Sequence, residues 1–486
     1  MRGVHVGLAG LIVAVFLIAW LETKPALEDF DPVRHAAFKD TWNQRVHLAY
    51  WEKWGSFEAD ACQKMVDTFN EVQNEIFVHY LRTSQVDRKA MLAAIGRDPP
   101  DVVGLWNSNV VPFAEGGALM PLEGLMKESG LTRDFYIENY LKLGEFEGHV
   151  WALPTAVMTM ALFYNKEHFR SKAAELRAAG LDPDRVPQTI EELDRYADVL
   201  NEFEADGTPR TMGFLPTEPG WFNHTWGYYF GGRLIDPETG RITTDETANV
   251  RAYAWIKRYA ETYGREKLLR FKSGFGTFDS PFNAFIEGRV SMEVQGVWFP
   301  MFIRRHRPQM EFGVAPFPSA AGVPGPRSVM EQDVIGIPRH CKHPKEAWKF
   351  VCWVQKEGIA ILSRLQGKNT AIRNPPAWFH QGHPNLELKV FEDLALAPES
   401  FIVPNTLVGQ EYRDEMNRAF EHIWNWPVEL EKKSALEGLT GAARQAKIEA
   451  LCREEVARTL AEVRQEVQRQ LDAKIARRRL QPGSAD

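Results

Sequence analysis

Trp106 and Asn107 directly follow the apolar run 102–105, which itself follows the breaker Asp98-Pro99-Pro100-Asp101, so an indole and an amide stand where a buried strand should end. The arrangement recurs. Trp51 and Trp54 follow the run 46–50, Tyr164 and Asn165 follow 161–163, and Gln295 and Trp298 follow 290–294. Ligands of open α/β sheets bind beyond the carboxyl ends of the strands. Ring faces suit the C–H faces of a sugar, and amides and carboxylates suit its hydroxyls. Trp221 and Trp226 lie in an aromatic segment between Gly220 and Gly231, and Glu331 and Asp333 offer carboxylates just ahead of the run 334–337. The chemistry expected of this set is non-covalent capture of a carbohydrate.

Each of these residues also has a plain structural use. An aromatic beside a strand end can wedge against the next helix, so Trp106 is open between core and ligand. Trp221 and Trp226 sit among other aromatics and are open in the same way, at least one of the two being expected as a stacking platform. Asn107 is either a helix N-cap or a sugar contact, and Asn165 can serve by turning the chain into the next helix. Trp298 is read as a stacking platform because Gly296 allows close backbone approach. Trp348 and Trp353 sit within a helix and are read as core, and residues 366–369 as a turn.

No H-E-x-x-H, G-x-S-x-G or phosphate loop is present. No catalytic residue, metal ligand or cofactor is therefore expected. An exported glycoside hydrolase is the rival from another class, since it needs two carboxyl groups roughly 5 to 9.5 Å apart. Glu331 and Asp333 show no partner for attack from the opposite face. A surface protein that only tethers glycans is a third possibility.

The elements that must position these groups alternate. Strands are expected at 46–50, 76–81 and 102–105, with helices opening at Ser56 and Asp87 between them, which makes a parallel βαβαβ half. Thr189 and Glu192 form a T-x-x-E capping box. A further helix should open at Asp245 and close at Gly264. Residues 312–316 look like an extended crossing, and the helix from His343-Pro344 carries Ala347, Val351 and Val354 on its inner face. From about Glu429 the chain is rich in Glu, Lys, Arg and Ala, and Leu460, Val463, Val467, Leu471 and Ile475 form the stripe of a long amphipathic helix.

The 486 residues exceed what one core usually serves, so two lobes are expected. A formal charge of -7 gives no reason to expect a nucleic acid partner. Cys62, Cys341, Cys352 and Cys452 lack C-x-x-C spacing and read as free thiols. The apolar run 6–21, after Arg2 and before Glu22 and Lys24, has the layout of an export signal. With no A-x-A-like site after it, a retained membrane anchor is expected, followed by a polar linker over 22–44.

Several ordered blocks resemble the extracellular solute-binding proteins of ABC importers, in particular the sugar-binding group. They are Leu92-Ala93-Ala94-Ile95-Gly96 to Asp101-Val102-Val103, Ala114-Glu115-Gly116-Gly117-Ala118-Leu119, Phe163-Tyr164-Asn165-Lys166, Phe285-Ile286-Glu287-Gly288 through Gly296-Val297-Trp298, Val314-Ala315-Pro316-Phe317-Pro318, and His343-Pro344-Lys345-Glu346-Ala347-Trp348. The resemblance covers residues 45 to about 430. It implies an α/β fold of the periplasmic-binding-protein-like type II class: two hinge-connected lobes with mixed sheets flanked by helices. The expected division is 1–44 as export signal or anchor plus linker, 45–155 with 315–365 as lobe 1, 156–314 with 366–430 as lobe 2, and 431–486 as a charged helix. The resemblance also implies a sugar or oligosaccharide held between closing lobes and delivered to ABC permease subunits, in the periplasm or at the cell surface. Two departures stand out: no lipid-accepting cysteine follows the apolar run, and the charged C-terminal extension is long.

Overall fold

In β1 (Val46–Glu52) the apolar run extends two residues further than its hydrophobicity suggests, because Trp51 and Glu52 keep pairing with β2 (Ile76–Arg82). The computed structural model describes residues 27–236 and 239–480. The apolar run 6–21 lies outside them, and no helix among the described residues is long and apolar enough to cross a membrane.

Along the chain, β1 leads to α1 (Ser56–Val72), β2, α2 (Val86–Ile95) and β3 (Val102–Trp106). β4 (Leu153–Asn165) is followed by α3 (Lys166–Ser171), α4 (Ile190–Leu200), β5 (Pro209–Phe214), α5 (Thr247–Tyr263), β6 (Val290–Gly296), α6 (Phe299–His306) and β7 (Phe312–Ala315). Then come β8 (Val329–Gly336), α7 (Pro344–Trp353), α8 (Ile359–Gln366), α9 (Gly409–Asn425) and α10 (Gly441–Leu480).

Two compact units emerge. One holds the described part of 1–132 with 147–155 and 333–362, and the other holds 133–146, 156–332 and 363–480. One changeover falls inside β8, between Gln332 and Asp333, and 133–146 belongs to the second unit.

In the first unit the strand order is β2-β1-β3-β8. β1 pairs in parallel with both β2 and β3, and β3 pairs antiparallel with β8 through Leu105↔Val334 and Gly104↔Ile335. α1 buries Ala59, Cys62, Met65, Val66 and Phe69, a spacing of three and four that puts them on one face. In the second unit β7, β4, β6 and β5 are neighbours in that order. β4 pairs antiparallel with β7 and β6, and β6 pairs in parallel with β5. Both sheets are mixed.

Several local expectations are corrected. The segment expected as a linker is folded from residue 27 onward where described: Trp42 is buried, its ring stacked on His35 at 4.4 Å and packed against Phe77 at 4.6 Å. Gly55, not Ser56, caps α1, and α2 opens at Val86 behind Gln85 in a left-handed conformation. Asp245 is followed by Glu246 as the cap of α5, while Gly264 closes that helix at φ +80°. β7 is a strand paired antiparallel with β4 within the second unit, not a crossing, and β8 begins five residues before Val334. Thr189 does cap α4, accepting from Glu192 N at 3.1 Å, while the Glu192 carboxylate accepts from Gln188 N instead of closing the box on Thr189.

α10 begins at Gly441, after the short turns Val428–Glu431 and Lys433–Leu436. Its stripe is real: Leu460, Val463, Val467 and Leu471 are buried. Polar ties fix its height, Thr244 Oγ1 donating to Leu460 O at 2.8 Å and Arg464 Nε to Asp245 Oδ2 at 2.7 Å. All four cysteines are free, with Cys62 and Cys452 buried.

Candidate functional site

At the carboxyl end of β1 the first unit gathers charge and indole. Glu52 is buried and carries three donors: Tyr50 Oη reaches its Oε2 at 2.9 Å, and Lys53 N and Nζ reach its Oε1 at 2.8 and 3.0 Å. Lys53 Nζ also lies 2.9 Å from Asp333 Oδ1, and Trp54 Nε1 donates to Asp333 Oδ2 at 3.2 Å. The ammonium sits 5.1 Å from the ring centroids of both Trp54 and Trp106. Burial pushes the Glu52 carboxyl up against the pull of Lys53, and burial works against the Lys53 ammonium, which Asp333 and Glu52 outweigh to hold it above its usual value. A buried ion pair persists only when its charges are paired and hydrogen-bonded, as these are.

Trp106 stands at the rim of this cluster with 40% of its surface exposed. Asn107 is buried at the start of the 3-10 turn Asn107–Asn109, whose Asn109 Oδ1 accepts from Trp106 N at 3.3 Å. Trp51 belongs elsewhere. It is 1% exposed and packs among Leu81, Val86, Val103, Leu105 and Val110, because strand alternation turns it to the side opposite Glu52. The ligand expectation for Trp51 is replaced by a core role.

In the second unit Trp221 and Trp298 meet, with centroids 5.3 Å apart and planes at 34°, and Phe278 lies 5.8 and 6.0 Å from the two rings. The Trp298 ring rests on Gly296: a Cβ there would stand 2.1 Å from its carbons. Lys368 Nζ is 5.9 Å from the Trp298 centroid. The indole Nε1 atoms of Trp221 and Trp298 are buried and have no hydrogen-bond partner among the described residues. A buried donor left unpaired costs on the order of 1–3 kcal/mol, and the Nε1 atoms of Trp51 and Trp226 are left in the same state.

Two polar groups belong to the same unit. Gln295 is buried, its Nε2 donating to Glu293 Oε1 at 2.6 Å, while Gln295 Oε1 lacks a partner among the described residues. Burial, reinforced by the negative charge of Glu218, pushes the Glu293 carboxyl up to about 8. Glu331 Oε1 accepts from Arg413 Nη2 at 2.9 Å and lies 3.9 Å from His224 Nε2. His224 is buried with both ring nitrogens unpartnered among the described residues, and burial together with Arg413 holds it well below its ordinary value. It is a neutral imidazole.

Three more expected residues turn out structural. Trp226 packs in an aromatic core with Phe214, Tyr229, Trp255 and Phe317. Tyr164 lies over Gly313, where a Cβ would stand 2.2 Å from its ring, and against Phe169. Asn165 caps α3, its Oδ1 accepting from Glu167 N at 2.9 Å and His168 N at 3.3 Å. Glu331 and Asp333 share a strand but serve different units, since the changeover falls between Gln332 and Asp333. Glu52, Lys53, His224, Lys368 and Arg413 escaped the sequence reading as site groups. Glu52 and Lys53 carried a signal, lying between two tryptophans, whereas Arg413 is 82 residues from its partner and had none.

The model for bacterial extracellular solute-binding proteins matches residues 56–361 of this chain. A maltotriose-binding protein of Pyrococcus abyssi is 21% identical over 309 residues, 63% of this chain and 62% of that protein, so the chain spans less than two thirds of that relative's length. A putative binding protein of Brucella abortus is 23% identical over 329 residues, 65% of this chain and 72% of its own. Among solved structures, CpMnBP1 with mannobiose bound superposes with TM-score 0.67 at 24% identity, covering 85% of this chain and all of that one. UgpB from Mycobacterium tuberculosis, in complex with glycerophosphocholine, gives 0.65 at 20%, covering 88% and 99%. The fold is the periplasmic-binding-protein-like type II class.

Proposed function

The chain belongs to the bacterial extracellular solute-binding proteins, and from that premise we propose that it captures a saccharide outside the cytoplasm and delivers it to an ABC-type importer. The observation that supports the saccharide assignment is the pair Trp221 and Trp298: two adjoining rings, the first half-buried and the second 3% exposed, in the unit that also holds the partnerless acceptor Gln295 Oε1. Rings stack on the C–H faces of a sugar. Gln295 Oε1 supplies an acceptor for a hydroxyl, and the neutral His224 can give or take one hydrogen bond at each nitrogen.

In the first unit, Trp106 offers a further open ring, and Asp333, oriented by Lys53 and Trp54, offers a carboxylate that can accept from hydroxyls. Asn107 is retained as a neighbour of Trp106. Each unit thus offers rings and polar groups of its own to a sugar, and a conformation that makes more of these contacts is favoured by the ligand. The curated and solved relatives named above are solute binders, and this reading includes no catalytic step.

The apolar run 6–21 is read as a retained membrane anchor. N-terminal sequencing of exported protein checks it, a mature start near residue 27 contradicting retention. The saccharide reading is tested by calorimetry of the purified chain against a panel including mannobiose, maltotriose and glycerophosphocholine. Saturable heat with a saccharide supports it, and binding of the phosphodiester alone contradicts it.

A further inference from the structure

Trp298 is the residue on which the proposed stacking surface depends, and the backbone just before it is held by two hydrogen bonds within the second unit. Val297 N donates to Thr159 O at 3.0 Å. Val297 O accepts from Asn385 Nδ2 at 3.4 Å, and the same amide donates to Gly367 O at 3.1 Å. Asn385 is buried, and its Oδ1 accepts from Glu387 N at 2.9 Å, so the amide cannot rotate away without losing all three bonds.

The turn that Asn385 grips is specific in shape. Gly367 has φ +70°, and a Cβ on it would stand 2.5 Å from Met301 Cγ, so glycine is required there on two counts. The next residue is Lys368, buried, whose ammonium stands 5.9 Å from the Trp298 ring centroid. One amide thus ties the peptide that orients the indole to the turn that places a cation against it.

We propose that Asn385, with the turn 366–369, is a positioning device that sets the Trp298 ring for stacking and so sets ligand affinity without touching the ligand. The inference rests on the saccharide reading for its affinity consequence, but its structural part stands alone. Lys368 contributes by attracting the ring's negative face. Asn385 contributes by fixing the turn to the backbone beside the ring.

The experiment uses the full chain labelled with 5-fluorotryptophan. Fluorine NMR reports each indole, and the Trp298 line is identified by its loss in Trp298→Phe. In unliganded Asn385→Ala the Trp298 line shifts or broadens, and saccharide affinity falls about tenfold, the effect of one buried bridging amide. Asn385→Asp, which keeps the Oδ1 acceptor but lacks the amide donor, behaves as Asn385→Ala. Lys368→Met moves the same line and serves if the Asn385 variants fail to fold. An unmoved Trp298 line with unchanged affinity in a folded variant overturns the proposal. If the wild-type chain binds no saccharide, the functional reading fails, while the Trp298 line still decides whether the device exists.

Discussion

The carboxylate of Glu52 occupies the space in which a side chain at Gly104 would have to fit: a Cβ on Gly104 would stand 1.7 Å from Glu52 Oε2. The far end of a glutamate usually moves aside cheaply. Here it is buried and bonded to Tyr50 and Lys53. Gly104→Ala therefore breaks those bonds, and we expect destabilisation of about 1–3 kcal/mol from overpacking together with weakened ligand binding. Urea titration and calorimetry of the variant check this; a wild-type midpoint would mean that Glu52 relaxes freely.

Lys53 Nζ stands between Glu52 and Asp333, at 3.0 Å from one carboxylate and 2.9 Å from the other. Lys53→Met keeps most of the stem but leaves two buried carboxylates uncompensated. Breaking a buried pair by removing one partner costs roughly 3–5 kcal/mol. The variant should unfold at clearly lower denaturant at pH 7 and recover part of the difference at pH 5, where the Glu52 carboxyl, pushed up by burial, can take up a proton. A loss of equal size at both pH values would show that packing, not charge, is what Lys53 supplies.

Glu293 gives a pH dependence with a definite sign. Its folded value, about 8, lies above the ordinary 4.5, so the native state holds a proton that the unfolded chain releases. The contribution is full below pH 4.5, declines as pH rises through the window up to about 8, and is flat above. The span is on the order of 5 kcal/mol at about 1.36 kcal/mol per unit. Glu293→Gln removes this slope, so its stability relative to wild type should rise between pH 5 and pH 8. A constant difference across that window would place the carboxyl in an ordinary environment.

Much of the fold was legible because strands buried on both faces read as apolar runs and helices as three- and four-residue stripes. The errors share a cause. Hydrophobicity marks where a strand is buried, not where its pairing stops, so the run ending at Tyr50 hid the continuation through Trp51 and Glu52, and the start of β8 was missed behind Glu331, Gln332 and Asp333. Moving those ends changes which side a residue faces, which is why Trp51 is core.

Gly296 was expected to let a backbone approach closely, and the space it leaves is filled by the Trp298 ring itself. Trp226 and Trp221 had the same local composition around them, and only the fold separates the core ring from the open one. Lys368 and Arg413 act through partners 70 and 82 residues away, a relation that local pattern cannot carry.

The most direct test of the central claim is paired calorimetry on Trp298→Ala and Trp226→Ala with whichever saccharide binds the wild-type chain. Trp298→Ala should remain folded and lose affinity by tenfold or more, about 1.4 kcal/mol. Trp226→Ala should instead lose stability by roughly 3–5 kcal/mol, with affinity near wild type in the fraction still folded. Undiminished affinity in a folded Trp298→Ala chain would contradict the account.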